Sequence, residues 1–279
     1  PALRGDFYAS FEAAGLCEAC CEAVSRCTGR PEGVDARLCV RNLARGPPLR
    51  ARLASSVQVL VPSLDAGLEA GRAELLAAGA AALCNVCCDA TLKAEAVRLG
   101  GVERALRALK AQPTHKAAEE LVACVGVLVA GFTPGLSQLF QCGEAPVLLS
   151  CLYCDEHPPL QVLAAEVVSD AASASTMFTS WLVTDTDLVD RHLGKLLDTS
   201  ADPQVLDSSL RLCQRLMTVD AFGQKVSAGA ALTALQALAQ STDGRKLIGL
   251  DDLSVDGDGR RGVTRKEVAM SILSTVLHF

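Results

Sequence analysis

The sequence predicts an all-α fold, an α-solenoid of about six repeats of roughly 42 residues each. Two observations carry this prediction. Apolar residues recur at spacings of three and four, the period of amphipathic helices, and the helical unit itself recurs along the chain. The composition agrees, because 50% of the 279 residues are hydrophobic but only 4% are aromatic, so small and aliphatic side chains dominate.

The clearest copy of the unit spans residues 79–109. It is interpreted as two helices around a short turn, with the pair Gly100-Gly101 inside the second half. A helical pair of this size cannot bury its apolar face alone, so neighbouring copies are expected to stack against it.

A small or turn residue before the last helix of each unit marks the repeat. These markers are Gly15, Ser56, Gly101, Gly143, Asp187 and Gly229, separated by 41, 45, 42, 44 and 42 residues. The predicted repeats in a single domain 1–279 are 5–30, 31–68, 69–110, 113–155, 156–200 and 202–240, followed by a loop 241–262 and a partial repeat 263–279. Tetratricopeptide and ankyrin repeats are shorter than these intervals.

The charge of the chain excludes some classes of partner. The formal net charge is −6, and no clustered Lys/Arg footprint for phosphates is present, so no nucleic acid is expected. No apolar run approaches the ~18 residues of a membrane span, so no membrane insertion is expected. An acidic chain favours a basic partner segment.

Nothing in the sequence indicates an enzyme or a cofactor. The histidines are scattered singly, and none has a Ser, Cys or Asp at a spacing that suggests a nucleophilic triad. They are His115, His157, His192 and His278. Neither a P-loop nor a dinucleotide-binding glycine motif follows a predicted strand.

Two segments carry a resemblance to a known family. Leu83-Cys84-Asn85-Val86 is followed by Arg98-Leu99-Gly100-Gly101-Val102, and Val40-Arg41-Asn42-Leu43 is a second copy of the first part. This pattern, closed by a Leu-rich helix, resembles the armadillo (ARM/HEAT-like) repeat superfamily, and the resemblance implies a right-handed α-solenoid, an armadillo-like superhelix. The resemblance covers about residues 5–240.

The resemblance implies a binding groove for a protein partner. In armadillo arrays the third helices line a concave groove, and their Asn side chains bond the backbone of an extended peptide. The matching positions are Asn42 and Asn85, and Arg45 and Asp89 are expected on the same face one turn on.

This series of amides is short in the present sequence. The next equivalent positions hold Val127 and Cys213. The alternative interpretation is that Asn42 and Asn85 cap or bridge neighbouring helices.

Two other patterns suggest metal binding weakly. Cys17, Cys20 and Cys21 match Cys84, Cys87 and Cys88 in spacing, but a structural zinc site needs four ligands, and buried small side chains explain the thiols better.

The tail loop 251–267 resembles an EF-hand calcium loop, with Asp256, Asp258 and Glu267 as weak candidate ligands. Arg260 and Arg261 stand at its positions 5 and 6, where a ligand and a Gly are needed, so tight binding is not expected.

The sequence therefore predicts a non-catalytic scaffold or adaptor that binds a partner segment, either extended or helical, on the concave face. One alternative is a constitutive subunit of a large assembly, and another is an adaptor weakly regulated by calcium or metal. The Ser/Thr-rich connector around Thr176–Thr186 is a second candidate contact, because irregular inserts often mark a binding face. Cysteines placed within apolar helical patterns predict an intracellular, reducing compartment, the cytoplasm first, with an organelle or cilium left open.

Overall fold

The computed structural model describes Ser10 and residues 15–111, 114–198, 201–240 and 264–277. Contacts divide the chain into two units, residues 1–148 and 149–279. Helices make up the fold of both units, which confirms the predicted all-α class.

The helices of the first unit follow one another closely. They are α1 Leu16–Arg26, α2 Gly33–Leu43, α3 Pro47–Arg50 with a 3-10 turn Ala51–Leu53, α4 Ala54–Glu69, α5 Ala73–Val86, α6 Ala90–Arg98, α7 Gly101–Lys110, α8 His115–Val129 and α9 Thr133–Gln141. The helix α10, Pro146–Leu152, spans the boundary of the two units.

The second unit continues the same pattern of short and long helices. It contains α11 Pro158–Ala174, α12 Thr176–Thr184, a π-helical turn Leu188–His192 leading into α13 Leu193–Leu196, α14 Pro203–Leu216, α15 Asp220–Ala228, α16 Ala230–Gln240 and α17 Arg265–Val276.

Helices that are three elements apart in the chain pack against one another within each unit. We call α2, α5, α8, α11, α14 and α17 the third helices, because they recur at every third helix of the chain and include α2 and α5, which carry Asn42 and Asn85. Helix α5 lies between α2 and α8, and it also packs on α4, while α4 lies between α1 and α7. In the second unit α14 packs between α11 and α17. This repetition of neighbours three elements apart is the structural counterpart of the sequence repeat.

The last helix closes a triplet of helices. Helix α17 packs against α14, α15 and α16, so it occupies the place of a third helix after α15 and α16. The repeat boundaries given above, including the partial repeat 263–279 and the single domain, stay a prediction.

The Gly100-Gly101 pair separates two helices. Gly100 has φ +81°, a left-handed conformation that favours glycine, and it precedes α7. At Gly101 a Cβ atom would lie 2.8 Å from the Ala96 carbonyl oxygen, which is too close. Residues 79–109 therefore form the end of α5 and two further helices, α6 and α7, in place of the two predicted helices.

The segment 176–186 is more regular than its composition suggests. The prediction of an irregular connector there is wrong, because Thr176–Thr184 forms α12. The Ser175 hydroxyl accepts a hydrogen bond from the Phe178 N–H and so caps the helix. The buried Thr179 hydroxyl donates a hydrogen bond to the Ala172 carbonyl oxygen at 2.7 Å, so this hydroxyl has a partner in the core.

None of the helices among the described residues is both long enough and apolar enough to cross a membrane.

Candidate functional site

A groove of about 260 Å³ runs across the third helices of the first unit. Helices α2, α5 and α8 all contribute to it. The residues that line it are Val34, Leu38, Arg41, Ala73, Glu74, Ala77, Ala78, Ala81, Thr114, Lys116 and Glu120.

The floor of the groove consists of alanines of α5. Helix α5 is apolar nearly all round, because it packs against α2, α4 and α8. Ala77, Ala78 and Ala81 line the groove, and although each is at most 8% exposed, their short side chains leave a depression between the flanking helices. Val34 and Leu38 of α2, both half-buried, form an apolar wall. The groove can therefore hold an apolar side chain.

Charged side chains of both signs surround this apolar floor. The Arg41 Nη2 and Glu120 Oε1 atoms lie 3.6 Å apart, which joins α2 to α8 across α5. Because this pair is partly exposed, it stabilises the fold by at most about 1 kcal/mol. Glu74 and Lys116, both exposed, lie in the first turns of α5 and α8. The rim thus offers ionic contacts while the floor offers apolar ones.

Asn85 lies near the end of α5, one helical turn beyond Ala81. Its Nδ2 donates a hydrogen bond to the Arg41 carbonyl oxygen at 2.9 Å. The amide therefore links α5 to α2, as the bridging interpretation describes. Since Nδ2 carries two hydrogens and Oδ1 is a separate acceptor, this bond uses only part of the amide's capacity.

The other three predicted groove residues have different surroundings. Asn42 and Arg45 are exposed at the end of α2 and in the turn after it. The Asp89 carboxylate caps α6, because its Oδ1 accepts hydrogen bonds from the Thr91 and Leu92 N–H groups at 2.9 and 3.0 Å. The structure thus brings Asn85 to α2 and uses Asp89 as a helix cap. A role of these four residues in partner binding stays a prediction.

The positions where further amides were sought fall on later third helices. Val127 is half-buried on α8, and Cys213 is fully buried in α14. Neither can offer the paired donor and acceptor of an amide.

Sequence reasoning missed the alanine floor and Glu74, although the period of α5 contains them. Residues 74, 77, 78 and 81 recur at helical spacing, and this signal was available. It was not informative by itself, because alanine is also often fully buried in the core.

All thirteen cysteines are free thiols. Burial raises the pKa of Cys20 to about 11 and that of Cys87 to about 12, so both thiols stay protonated at neutral pH. A metal ligand must be a thiolate, and a raised pKa opposes that state. Within residues 15–111, 114–198, 201–240 and 264–277, no group of three or more His, Cys, Asp or Glu side chains is placed to hold a metal ion.

Only residues 264–267 of the tail loop belong to the part of the chain that the structure describes. Asp256 and Asp258 lie outside the described residues. Glu267 belongs to a capping box at the start of α17, because its Oε2 accepts from the Thr264 N–H at 2.7 Å, while the Thr264 hydroxyl accepts from the Glu267 N–H at 3.2 Å. This helix cap accounts for the Glu267 carboxylate.

Comparison with known proteins places this arrangement in a known fold. No family model and no curated protein matches the sequence. Among solved structures, a designed armadillo repeat protein is similar at TM-score 0.69 and 18% identity, over 91% of this chain and 98% of that one. A designed armadillo repeat protein in complex with the peptide (KR)4 is similar at TM-score 0.58 and 16% identity, over 85% and 98%.

A natural protein has the same fold. The armadillo-repeats-only protein from Plasmodium falciparum is similar at TM-score 0.57 and 12% identity, over 72% of this chain and 80% of that one. These identities are low, and the likeness concerns the fold. Together with the succession of third helices, it shows that the chain is an α-solenoid with the fold of the armadillo-like repeat superfamily.

Proposed function

We propose that the protein is a non-catalytic interaction scaffold or adaptor whose third-helix groove, formed by α2, α5 and α8, binds a segment of a partner protein. The observation that carries this proposal is the apolar floor of Ala77, Ala78 and Ala81 between charged rims. The fold supports it, since one similar designed protein is described in complex with a peptide.

The size of the groove favours a short segment over a folded domain. A volume of about 260 Å³ holds one or two large side chains. An apolar anchor residue of the partner would lie on the alanine floor beside Leu38, with neighbouring basic residues facing Glu74. A net charge of −6 also favours a basic partner.

A charge reversal at the rim tests the groove. Glu74→Lys changes an exposed side chain, so we expect normal folding but loss of partners captured from a cell extract and identified by mass spectrometry. The matched control is Glu69→Lys, which makes the same change at the exposed end of α4, outside the groove. Equal recovery of every partner by both variants would refute the groove proposal.

The two asparagines test whether amides read the partner. Asn85→Ala removes the bond to the Arg41 carbonyl, so we expect the free energy of unfolding to fall by about 1 kcal/mol as well as weaker binding. Asn42→Ala changes an exposed side chain and should weaken binding with no measurable loss of stability. If neither variant alters the affinity for a captured partner, the amides have only structural roles.

A second candidate function is a constitutive subunit of an assembly. It is favoured by two exposed apolar side chains at the end of the described residues, Met270 of α17, which is 53% exposed, and Leu277 just after α17, which is 61% exposed. The double variant Met270→Ser/Leu277→Ser should then make the isolated chain less prone to aggregation in light scattering. An unchanged aggregation rate would remove this candidate.

We further propose that the protein works in a reducing intracellular compartment. This rests on thirteen free thiols, several of which burial keeps protonated.

A further inference from the structure

Basic residues are absent from a long central part of the sequence. Lys116 is followed by no Lys or Arg until Arg191, and the 74 residues between them contain ten acidic residues. These are Glu119, Glu120, Glu144, Asp155, Glu156, Glu166, Asp170, Asp185, Asp187 and Asp190. Seven of them, from Asp155 onward, belong to the second unit, and all seven are exposed. Residues 149–190 therefore present only negative formal charge to solvent.

An exposed apolar surface lies within this acidic region, on α12. Met177 is 62% exposed, the most exposed large hydrophobic residue among those the structure describes. Trp181 follows at i+4 and is half-buried, so it shares the face of Met177. We call Met177 and Trp181, with the exposed Ser180 and Thr184, the α12 surface. Met and Trp are residue types enriched at protein interfaces.

The α12 surface is held rigidly by the core. The rings of Trp181 and Phe178 are 5.3 Å apart, and Phe178 is 3% exposed. Leu182 and Val183 are fully buried on the opposite face of the helix. A preformed surface loses little conformational entropy when a partner binds.

The carboxylates near this surface differ in how far cations already neutralise them. Asp187 lies 3.9 Å from the Arg191 Nη1, and Asp190 pairs with Lys225 at 2.7 Å. Asp185 accepts a hydrogen bond from the neutral Thr184 hydroxyl, and no cation of the described residues pairs with it. Asp185 follows Trp181 at i+4, so a negative charge adjoins the aromatic ring along the helix.

We propose that the α12 surface docks a basic amphipathic helix of a partner protein. The apolar face of that helix contacts Met177 and Trp181, and its Lys or Arg side chains face Asp185 and the other exposed carboxylates of residues 149–190. Charge complementarity selects this occupant, because an acidic surface repels the phosphates of nucleic acids and of anionic membranes. The surface is distinct from the groove of the first unit and does not depend on it.

Trp181 supplies a direct test, because it is the only tryptophan of the chain. The probe is an 18-residue peptide of Leu and Lys arranged with helical period and free of Trp. Titration should shift the tryptophan emission, and the apparent affinity should fall at least about tenfold between 50 and 300 mM salt, as ionic contacts become screened. A peptide with Glu in place of Lys should cause no shift.

Two variants with a matched control decide where the peptide binds. Met177→Ser should weaken binding about tenfold, and Asp185→Lys should weaken it by a similar factor at low salt. The control is Glu69→Lys, which makes the same charge reversal as Asp185→Lys at an exposed position of the first unit and should leave the affinity unchanged.

The outcomes separate cleanly. No emission change with the Lys peptide up to millimolar concentration overturns the proposal, as does equal weakening by Asp185→Lys and Glu69→Lys. Equal binding of a Leu/Lys peptide with scrambled period shows that charge alone acts, which also overturns it. Binding of anionic vesicles with loss of the Trp181 response to peptide assigns the surface to membranes and refutes a protein partner.

Discussion

Among the described residues, one arginine of each unit is buried, but the two units satisfy its charge in different ways. In the first unit Arg37 of α2 is fully buried, and its guanidinium group donates hydrogen bonds to three neutral oxygens. These are the Thr28 carbonyl at 2.7 Å, the Gly33 carbonyl at 2.9 Å and the Ser63 hydroxyl at 3.4 Å. No carboxylate of the described residues pairs with it, and burial lowers its pKa.

In the second unit Arg265 of α17 is 5% exposed and faces the Asp207 carboxylate of α14 with two hydrogen bonds. Its Nη2 lies 3.0 Å from Asp207 Oδ2 and 3.1 Å from the Pro203 carbonyl oxygen. Arg265 and Asp207 are 58 residues apart in sequence, and their ion pair joins α17 to α14, the third helix before it. The comparison shows two ways to bury an arginine. The neutral oxygens around Arg37, which we call the neutral cradle, hold its charge by hydrogen bonds alone, whereas Arg265 of α17 is held by an ion pair with Asp207.

The largest effect should come from the ion pair. Asp207→Ala leaves the Arg265 charge buried without its carboxylate, so we expect the free energy of unfolding in urea to fall by about 3–5 kcal/mol. In the double variant Asp207→Ala/Arg265→Met no buried charge is left alone, and most of the loss should be recovered. A loss below about 1 kcal/mol in the single variant would show that water reaches Arg265 and that the pair is not buried.

Arg37→Met should cost less, about 2 kcal/mol, because it withdraws two short hydrogen bonds worth about 1 kcal/mol each and one long one, and it leaves no orphaned charge. The measurement is again urea unfolding, with the slope of the transition checked for constancy. A cost equal to that of Asp207→Ala would contradict the distinction between the neutral cradle and the ion pair.

A glycine next to Arg37 sharpens the same point. At Gly33 a Cβ would lie 2.2 Å from the Cys27 carbonyl oxygen and 2.5 Å from the Arg37 Nη1. Gly33→Ala should therefore destabilise the protein by about 2 kcal/mol through overpacking. Gly29→Ala is the matched control, because a Cβ there meets nothing within 4 Å and the change should stay within about 0.5 kcal/mol. Similar melting curves for the two variants would show that Arg37 and the Cys27 carbonyl shift to accept the added methyl group at little cost, contrary to this prediction.

These arginines also show where the sequence is informative. The helical period and the recurring interval suffice for the fold class, because both reflect which faces must be buried. In α2, however, Leu38 is half-buried in the wall of the groove, whereas its neighbour Arg37 lies in the core. A charged residue is normally assigned to solvent, and only the three-dimensional closeness of Thr28, Gly33 and Ser63 reverses that assignment.

The candidate groove was predictable to a similar extent. The position of Asn85 near the end of its helix followed from the repeat pattern, but its partner, the Arg41 carbonyl, lies 44 residues away in sequence. The alanine floor requires knowing that α2 and α8 flank α5, which no local pattern states.

The smallest expected effect concerns the reactivity of the cysteine thiols, which we expect to differ between the two units. Cys39 and Cys88 are exposed and belong to the first unit, whereas Cys151 and Cys213 of the second unit are buried with pKa values raised to about 12. With a disulfide reagent at pH 8, we expect two thiols of the native protein to react rapidly, both found by peptide mapping within residues 1–148, and all thirteen to react in denaturant. Because burial raises the pKa of both Cys151 and Cys213 to about 12, raising the pH to 9 should leave these two thiols unreactive in the native protein. Rapid labelling of Cys151 or Cys213 would mean that the second unit opens locally under native conditions, and the ion pair of Arg265 would then be the first contact to examine.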